Sequence, residues 1–235
     1  MKTTPTTHTF IYSKGDPPVE YSSVNELIDK SMENKRYERP YEYRFVWSIL
    51  YPIVKFTSRE DRKRIRILDV GGAESYLSKM LSELGFDVTV IDINDFDYGN
   101  ARFIKANLLD YEFPGEYFDL ILAVSTIEHV GLPCYGQDKI VLDGDKIVAD
   151  KIHRWLKRSG LAIVTVPYGI PHHPPTFERV YTMPELKQLF PEEKWEWILA
   201  IFACDPLFNG MSWMWCSEIQ SRHTDACCMM LLRKR

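Results

Sequence analysis

Asp69, Gly71-Gly72 and Asp92, followed by His129 and the pair His172-His173, are the side chains of this sequence whose types and spacing suit chemistry. The run Ile65–Ser75 carries a short apolar strand into a tight turn of small residues, and a helical pattern starts directly afterwards. Such a turn lets a ligand lie against the backbone. A second apolar run, Val88-Thr89-Val90-Ile91, ends in Asp92. An acid at the end of that next strand can accept hydrogen bonds from both hydroxyls of a ribose. The histidines offer a different chemistry, because an imidazole titrates near neutrality and can act as a general base. His129 follows Glu128 just beyond the apolar run 118–124, and His172-His173 sit in the stiff loop Pro171-His172-His173-Pro174-Pro175 after the run 160–167. Both places fall on the carboxyl edge of a parallel sheet, where open α/β folds bind ligands.

Three ribose-bearing or phosphate-bearing ligands compete for the Gly71 turn. A phosphate-binding loop ends in Gly-Lys-Ser/Thr, which is absent. A dinucleotide fingerprint places glycines so that pyrophosphate can approach a helix N-terminus, but the matching positions here hold Gly71, Ala73 and Tyr76, and Glu74 would repel phosphate. S-adenosylmethionine has a ribose and no pyrophosphate.

The elements that must position these residues alternate regularly. Strands are predicted at 65–70, 87–92, 101–106, 118–124 and 160–167, with helices at about 75–84 and 138–158. That alternation implies a mostly parallel, doubly wound α/β sheet with right-handed crossovers. A helix at 183–190 precedes strands at 195–204 and 226–233, whose irregular connection leaves no room for a crossover helix, so the sheet should end in an antiparallel hairpin. Upstream, residues 1–60 read as a Thr/Pro-rich arm and a helical cap with helices at 23–33 and 41–56, the second kinked or ended by Pro52. Residues 61–235 read as the Rossmann-like part of one compact domain. Tyr76, Leu77 and Met80 read as core.

At 235 residues and 45% hydrophobic composition, the chain can bury one substantial core. It shows no membrane span and no secretory signal, so the expected location is cytoplasmic. A net charge of −4 argues against broad binding to nucleic acid. The basic run Arg59–Arg66 precedes a buried strand and reads as its solvated approach. The five scattered cysteines suit reduced thiols. Cys216, His223, Cys227 and Cys228 match no regular metal-ligand spacing, and Cys227 and Cys228 would point to opposite faces of a strand, so no metal site is expected.

Taken together, these motifs resemble the class I methyltransferases, which have a seven-stranded Rossmann-like sheet. Ile67–Ala73 is similar to their first motif, with Ala73 and Ser75 where glycines are more usual. Val90–Ile93 is similar to the second, Asp92 being the ribose acid. Phe103–Leu108 is similar to the third, which places Asn107 at the adenine edge and Leu108 near the ring. Phe118–Ala123 followed by Ile127–Val130 is similar to the fourth, in a Glu-His form common among small-molecule enzymes, and Trp155–Leu161 resembles the turn into strand five. The likeness covers about residues 60–170 well, the C-terminal strands loosely and the cap not at all.

The resemblance implies S-adenosylmethionine as cofactor, held by Asp69, Gly71, Gly72, Ala73, Asp92, Ile93, Asn107, Leu108 and Ser125. It implies methyl transfer to a small-molecule acceptor, with oxygen slightly favoured over nitrogen and His129, His172 and His173 as candidate bases. Ala123-Val124-Ser125-Thr126 stands where enzymes that methylate exocyclic base amines carry Asn/Asp-Pro-Pro-Tyr/Phe. The alternatives are an RNA or protein methyltransferase, or a binding module that keeps the fold without turnover. The segment 131–145 reads as a lid. Phe208–Trp215 reads equally as a flap over the core or as part of an apolar acceptor pocket.

Overall fold

The structure, a computed structural model, describes residues 24–31, 37–72, 76–137, 140–171, 175 and 177–235. Ala73, Ser75, His172 and His173 lie outside the described residues. In chain order the elements are α1 (Val24–Ser31), α2 (Arg39–Phe56), α3 (Arg59–Arg62), β1 (Arg66–Val70), α4 (Leu77–Glu83), β2 (Asp87–Asp92), β3 (Arg102–Lys105) and β4 (Phe118–Val124). A single 3-10 turn, Ile127–His129, leads to α5 (Gly144–Trp155), β5 (Leu156–Tyr168), α6 (Met183–Leu189), β6 (Trp195–Asp205), β7 (Met214–Cys216), α7 (Glu218–Ser221) and β8 (Asp225–Lys234).

The strands form one sheet in the order β3-β2-β1-β4-β5-β8-β6-β7. The first five run parallel. β8 pairs antiparallel with β5 and β6, and β7 closes the edge antiparallel to β6. This is the expected mixed α/β architecture, with β7 as a short eighth strand. The strand order reverses between β1 and β4, and a crevice at such a reversal is where these sheets bind ligands.

Successive side chains of a strand point to opposite faces, and both faces here are apolar. On β4, Leu120, Leu122 and Val124 join one core cluster, and Ile121 and Ala123 join the other. Cys227 and Cys228 split the same way. α5 and α6 cover one face through Val148, Ile152, Trp155 and Leu186. α4 and α2 cover the other, α2 through Tyr43, Val46, Trp47, Leu50 and Val54, a spacing of three to four residues that keeps one helix face on the sheet. The segment read as a cap is therefore a layer of the core.

Several local expectations change. Pro52 lies inside α2 without ending it. Proline removes one helical hydrogen bond, that from its own nitrogen, and the packed face of α2 holds the helix through it. The 138–158 helix is shorter, Gly144–Trp155, because β5 begins at Leu156. The turn expected within Trp155–Leu161 is a bulge inside β5, where the register to β4 shifts and Ser159 takes φ +60°. The connection between β6 and β8 holds β7 and the turn of helix α7. Tyr76 is exposed against Phe96, while Leu77 and Met80 are core. Arg62, in the basic run, is buried and donates to the carbonyls of Leu84, Val54 and Thr57.

Trp47 is fully buried in the α2 layer, so Trp47→Ala should cost about 3–5 kcal/mol. Urea unfolding checks this, and an unchanged midpoint would mean that α2 is not part of the core.

Candidate active site

The carboxyl ends of β1, β2 and β4 and the segment after β3 enclose a cavity of about 660 Å³. Asp69, Gly71, Asp92, Ile93, Asn107, Leu108, Ser125 and His129 line it. Gly72 is packed against Asp69 and Val90 behind the wall. Of the predicted cofactor residues, the structure thus brings all but Gly72 and the undescribed Ala73 to one cavity.

Each lining residue has a local reason for its place. Asp69 is buried and accepts a hydrogen bond from Ser78 Oγ on α4 at 2.6 Å, which ties β1 to the helix after the turn. Burial pushes its carboxyl up to about 6, against the Ser78 hydrogen bond. Gly71 has φ +70°, and a Cβ there would run into the Thr126 side chain, so the β1 and β4 ends approach this closely only through glycine. Asp92 Oδ1 accepts the Asn94 N–H at 2.7 Å. Asn107 Oδ1 accepts the Leu109 N–H at 2.9 Å, which closes a turn and leaves its Nδ2 hydrogens as what it can offer a ligand.

The residues present suit adenosine bearing a cation. Asp92 beside Ile93 offers a carboxylate to ribose, and Asn107 with Leu108 offers an amide and an apolar edge to a base. Among the described residues, Asp69, Asp92, Asp95 and Glu38 share the walls with one arginine, Arg39. That balance favours a sulfonium and an ammonium over a pyrophosphate.

A network that the sequence reading missed holds the β4 edge. Glu42, on α2 and fully buried, accepts hydrogen bonds at Oε1 from Ser125 Oγ and Thr165 Oγ1, with Cys227 Sγ at 3.6 Å. Its Oε2 lies 3.0 Å from Arg39 Nη1. Ser125 takes φ +46°, and its N–H donates to Thr165 Oγ1 at 3.0 Å. The signal available in the sequence was a glutamate on the apolar stripe Glu42, Phe45, Ile49 of a helix.

A second cavity of about 650 Å³ adjoins the first. Tyr37, Glu38, Arg39, Ser125, His129 and Tyr135 line both and form the wall between them. His129 Nδ1 lies 2.8 Å from the Phe177 carbonyl, and its ring packs edge-on against Tyr135 and Phe177. Burial lowers its pKa below 6.5, and Arg39 and Arg179 lower it further against the Phe177 hydrogen bond. Burial and the neighbouring Glu42 raise Glu38 to about 7. Burial drives Glu128 well above the usual carboxylate range.

Arg179, itself buried, donates to the carbonyls of Glu128, Val130 and Leu142 and clamps the 3-10 turn. Gln137 accepts the Gly131 N–H and donates to the His129 carbonyl. The described part of the expected lid is therefore tied to the site. The expected flap is pinned to α2, where Tyr41 donates to the Trp213 carbonyl and packs edge-on against Trp215. Among the described residues, no helix is long and apolar enough to cross a membrane.

A sequence profile described as a methyltransferase domain matches residues 34–202, which includes α2. No curated protein matches the chain in sequence. Similar solved structures include 1,6-didemethyltoxoflavin-N1-methyltransferase of Burkholderia thailandensis, solved with 1,6-didemethyltoxoflavin and S-adenosylhomocysteine bound. It is 16% identical, with 83% of each chain covered and a TM-score of 0.51. A SAM-dependent methyltransferase of Archaeoglobus fulgidus is 16% identical over 80% of this chain and 99% of its own, with a TM-score of 0.52. The cyclase SpnF is 12% identical over 82% of each chain, with a TM-score of 0.51. At these identities the likeness shows a shared fold, and a fold hosts more than one chemistry.

If Asp92 holds ribose hydroxyls, Asp92→Ala should weaken binding of S-adenosylhomocysteine by about tenfold or more, ~1.4 kcal/mol. Calorimetric titration measures this, and an unchanged affinity would remove Asp92 from the cofactor site.

Proposed function

The chain belongs to the methyltransferase-domain family, and on that premise we propose that it transfers a methyl group from S-adenosylmethionine to a small molecule seated in the second cavity. The observation that carries this reading is the meeting of two cavities of similar size at one wall that includes His129. Asp69, Asp92, Asn107 and Leu108 would hold the cofactor in the first cavity. When bound, it supplies an electrophilic methyl whose bonding pair leaves with sulfur as the acceptor's lone pair forms the new bond.

Transfer of this kind depends mainly on alignment and exclusion of water. The wall of Tyr37, Arg39, Ser125 and Tyr135 provides the alignment. His129 provides a proton-accepting group placed on both sides. Its Nδ1–H donates to the Phe177 carbonyl, which leaves the Nε2 lone pair to take a proton. Its lowered pKa keeps the imidazole neutral at neutral pH, so it is ready as a base. A hydroxyl acceptor needs that base, and an amine needs it when it arrives protonated. The second cavity is lined by the aromatic rings of Tyr37, Tyr135, Tyr168, Phe177 and Phe208, which suits a small molecule with an apolar body.

Incubation with methyl-labelled S-adenosylmethionine and separated cell fractions tests the reading. Label should appear in the low-molecular-weight fraction. Label in RNA or protein would favour a macromolecular acceptor, and no transfer anywhere would favour a module without turnover. With the labelled acceptor in hand, His129→Gln should lower kcat about a hundredfold or more and leave S-adenosylhomocysteine binding unchanged. A base is lost as pH falls through its pKa, so the wild-type acid limb of kcat/KM should lie below pH 6.5. A fully active His129→Gln variant would exclude His129 as the base.

A further inference from the structure

We infer that the acceptor is an amine on an aromatic or apolar body, bound in the second cavity as an ammonium whose nitrogen lies against Glu128, beside His129. The inference deepens the methyl-transfer reading and rests on it. Its first support is Glu128, which lines the second cavity and is fully buried. Neither of its carboxyl oxygens has a hydrogen-bond partner among the described residues. A buried carboxyl with no donor carries a desolvation cost that a bound donor relieves. The closest charged-type contact is His129 Nε2, 3.7 Å from Oε1, beyond hydrogen-bond range. Arg39, on the shared wall, already pairs with Glu42 at 3.0 Å.

Glu38 is the second support. It sits at the start of α2, lines both cavities and makes no side-chain capping bond to its helix. An ammonium carries three donors, whereas a hydroxyl carries one. A carboxylate acceptor would be repelled.

The body of the acceptor is set by rings. His129, Tyr135 and Phe177 pack with centroids 4.8 to 5.5 Å apart, and ring faces also favour a cation. Ile170 and Phe208 continue this apolar surface at the mouth, both exposed. The proton balance closes on the same residues. The ammonium gives one proton to His129 Nε2 and becomes a neutral amine whose lone pair is the nucleophile. The imidazolium so formed faces Glu128. The positive charge lost at sulfur reappears on the methylated nitrogen.

The test uses the full chain and three matched probes: tryptamine, tryptophol and indole-3-propionate. S-adenosylhomocysteine is titrated first, and then each probe into the saturated protein at neutral pH. Tryptamine should bind at least about tenfold more tightly than tryptophol, with indole-3-propionate weakest. Glu128→Gln should remove the amine preference and keep S-adenosylhomocysteine binding. Equal binding of the three probes, tighter binding of the alcohol or acid, or no measurable tryptamine binding overturns the inference and leaves the methyl-transfer reading standing. An amine preference that survives in a folded Glu128→Gln variant also overturns it. Failure of S-adenosylhomocysteine to bind in the first titration overturns the methyl-transfer reading, and this inference with it.

Discussion

The rest of the site depends on one buried carboxylate. Glu42 is carried on α2 yet accepts hydrogen bonds from Ser125 beyond β4 and Thr165 on β5, with Cys227 of β8 beside them. A carboxylate taken out of water is costly unless several donors and a cation meet it. Here two hydroxyls and the Arg39 guanidinium do so. The helix, the parallel strands and the antiparallel end of the sheet are locked to one another at the edge where ligands enter. The same interaction stabilises a Ser125 backbone in the left-handed region, a conformation that persists only where its surroundings hold it.

That lock explains the shape of the site. With α2 fixed over the β4 and β5 ends, Tyr37, Glu38 and Arg39 form a wall between two cavities. The 3-10 turn that bears Glu128 and His129 is held from the other side by Arg179 and Gln137. The surroundings are rich in carboxylates and poor in cations, and burial raises Glu38, Asp69 and Glu128 together. A cation bound there would restore the ionised form that burial disfavours, in keeping with the proposed sulfonium donor on one side of the wall and ammonium on the other.

The strands at 66–70, 87–92 and 118–124 were legible because each is a short apolar run buried on both faces, a pattern that depends only on neighbours along the chain. Asp92, Asn107 and His129 were legible for the same reason, since each follows directly from a strand end. The Glu42 network was not. Its partners lie 83 and 123 residues away in sequence, and no local periodicity reports a contact at that separation. The helix at 41–56 was legible as packing on a core but not where, because the apolar stripe of α2 shows that something is buried but not against what; the arm lies outside the described residues. The turn read within Trp155–Leu161 is absorbed by the sheet as a bulge, because β4 pairs with β5 at Leu156 before it and again from Leu161 after it. The second cavity is built from loops far apart in the chain, and only the fold assembles it.

The central claim is that the two cavities divide donor from acceptor at the His129 wall. A crystal structure with S-adenosylhomocysteine bound tests it most directly. The account predicts ribose hydroxyls on Asp92, adenine against Asn107 and Leu108, and the sulfur facing the wall of Tyr37, Ser125 and His129, with the second cavity left open. Adenosine lodged in the second cavity, or a sulfur turned away from His129, would contradict it.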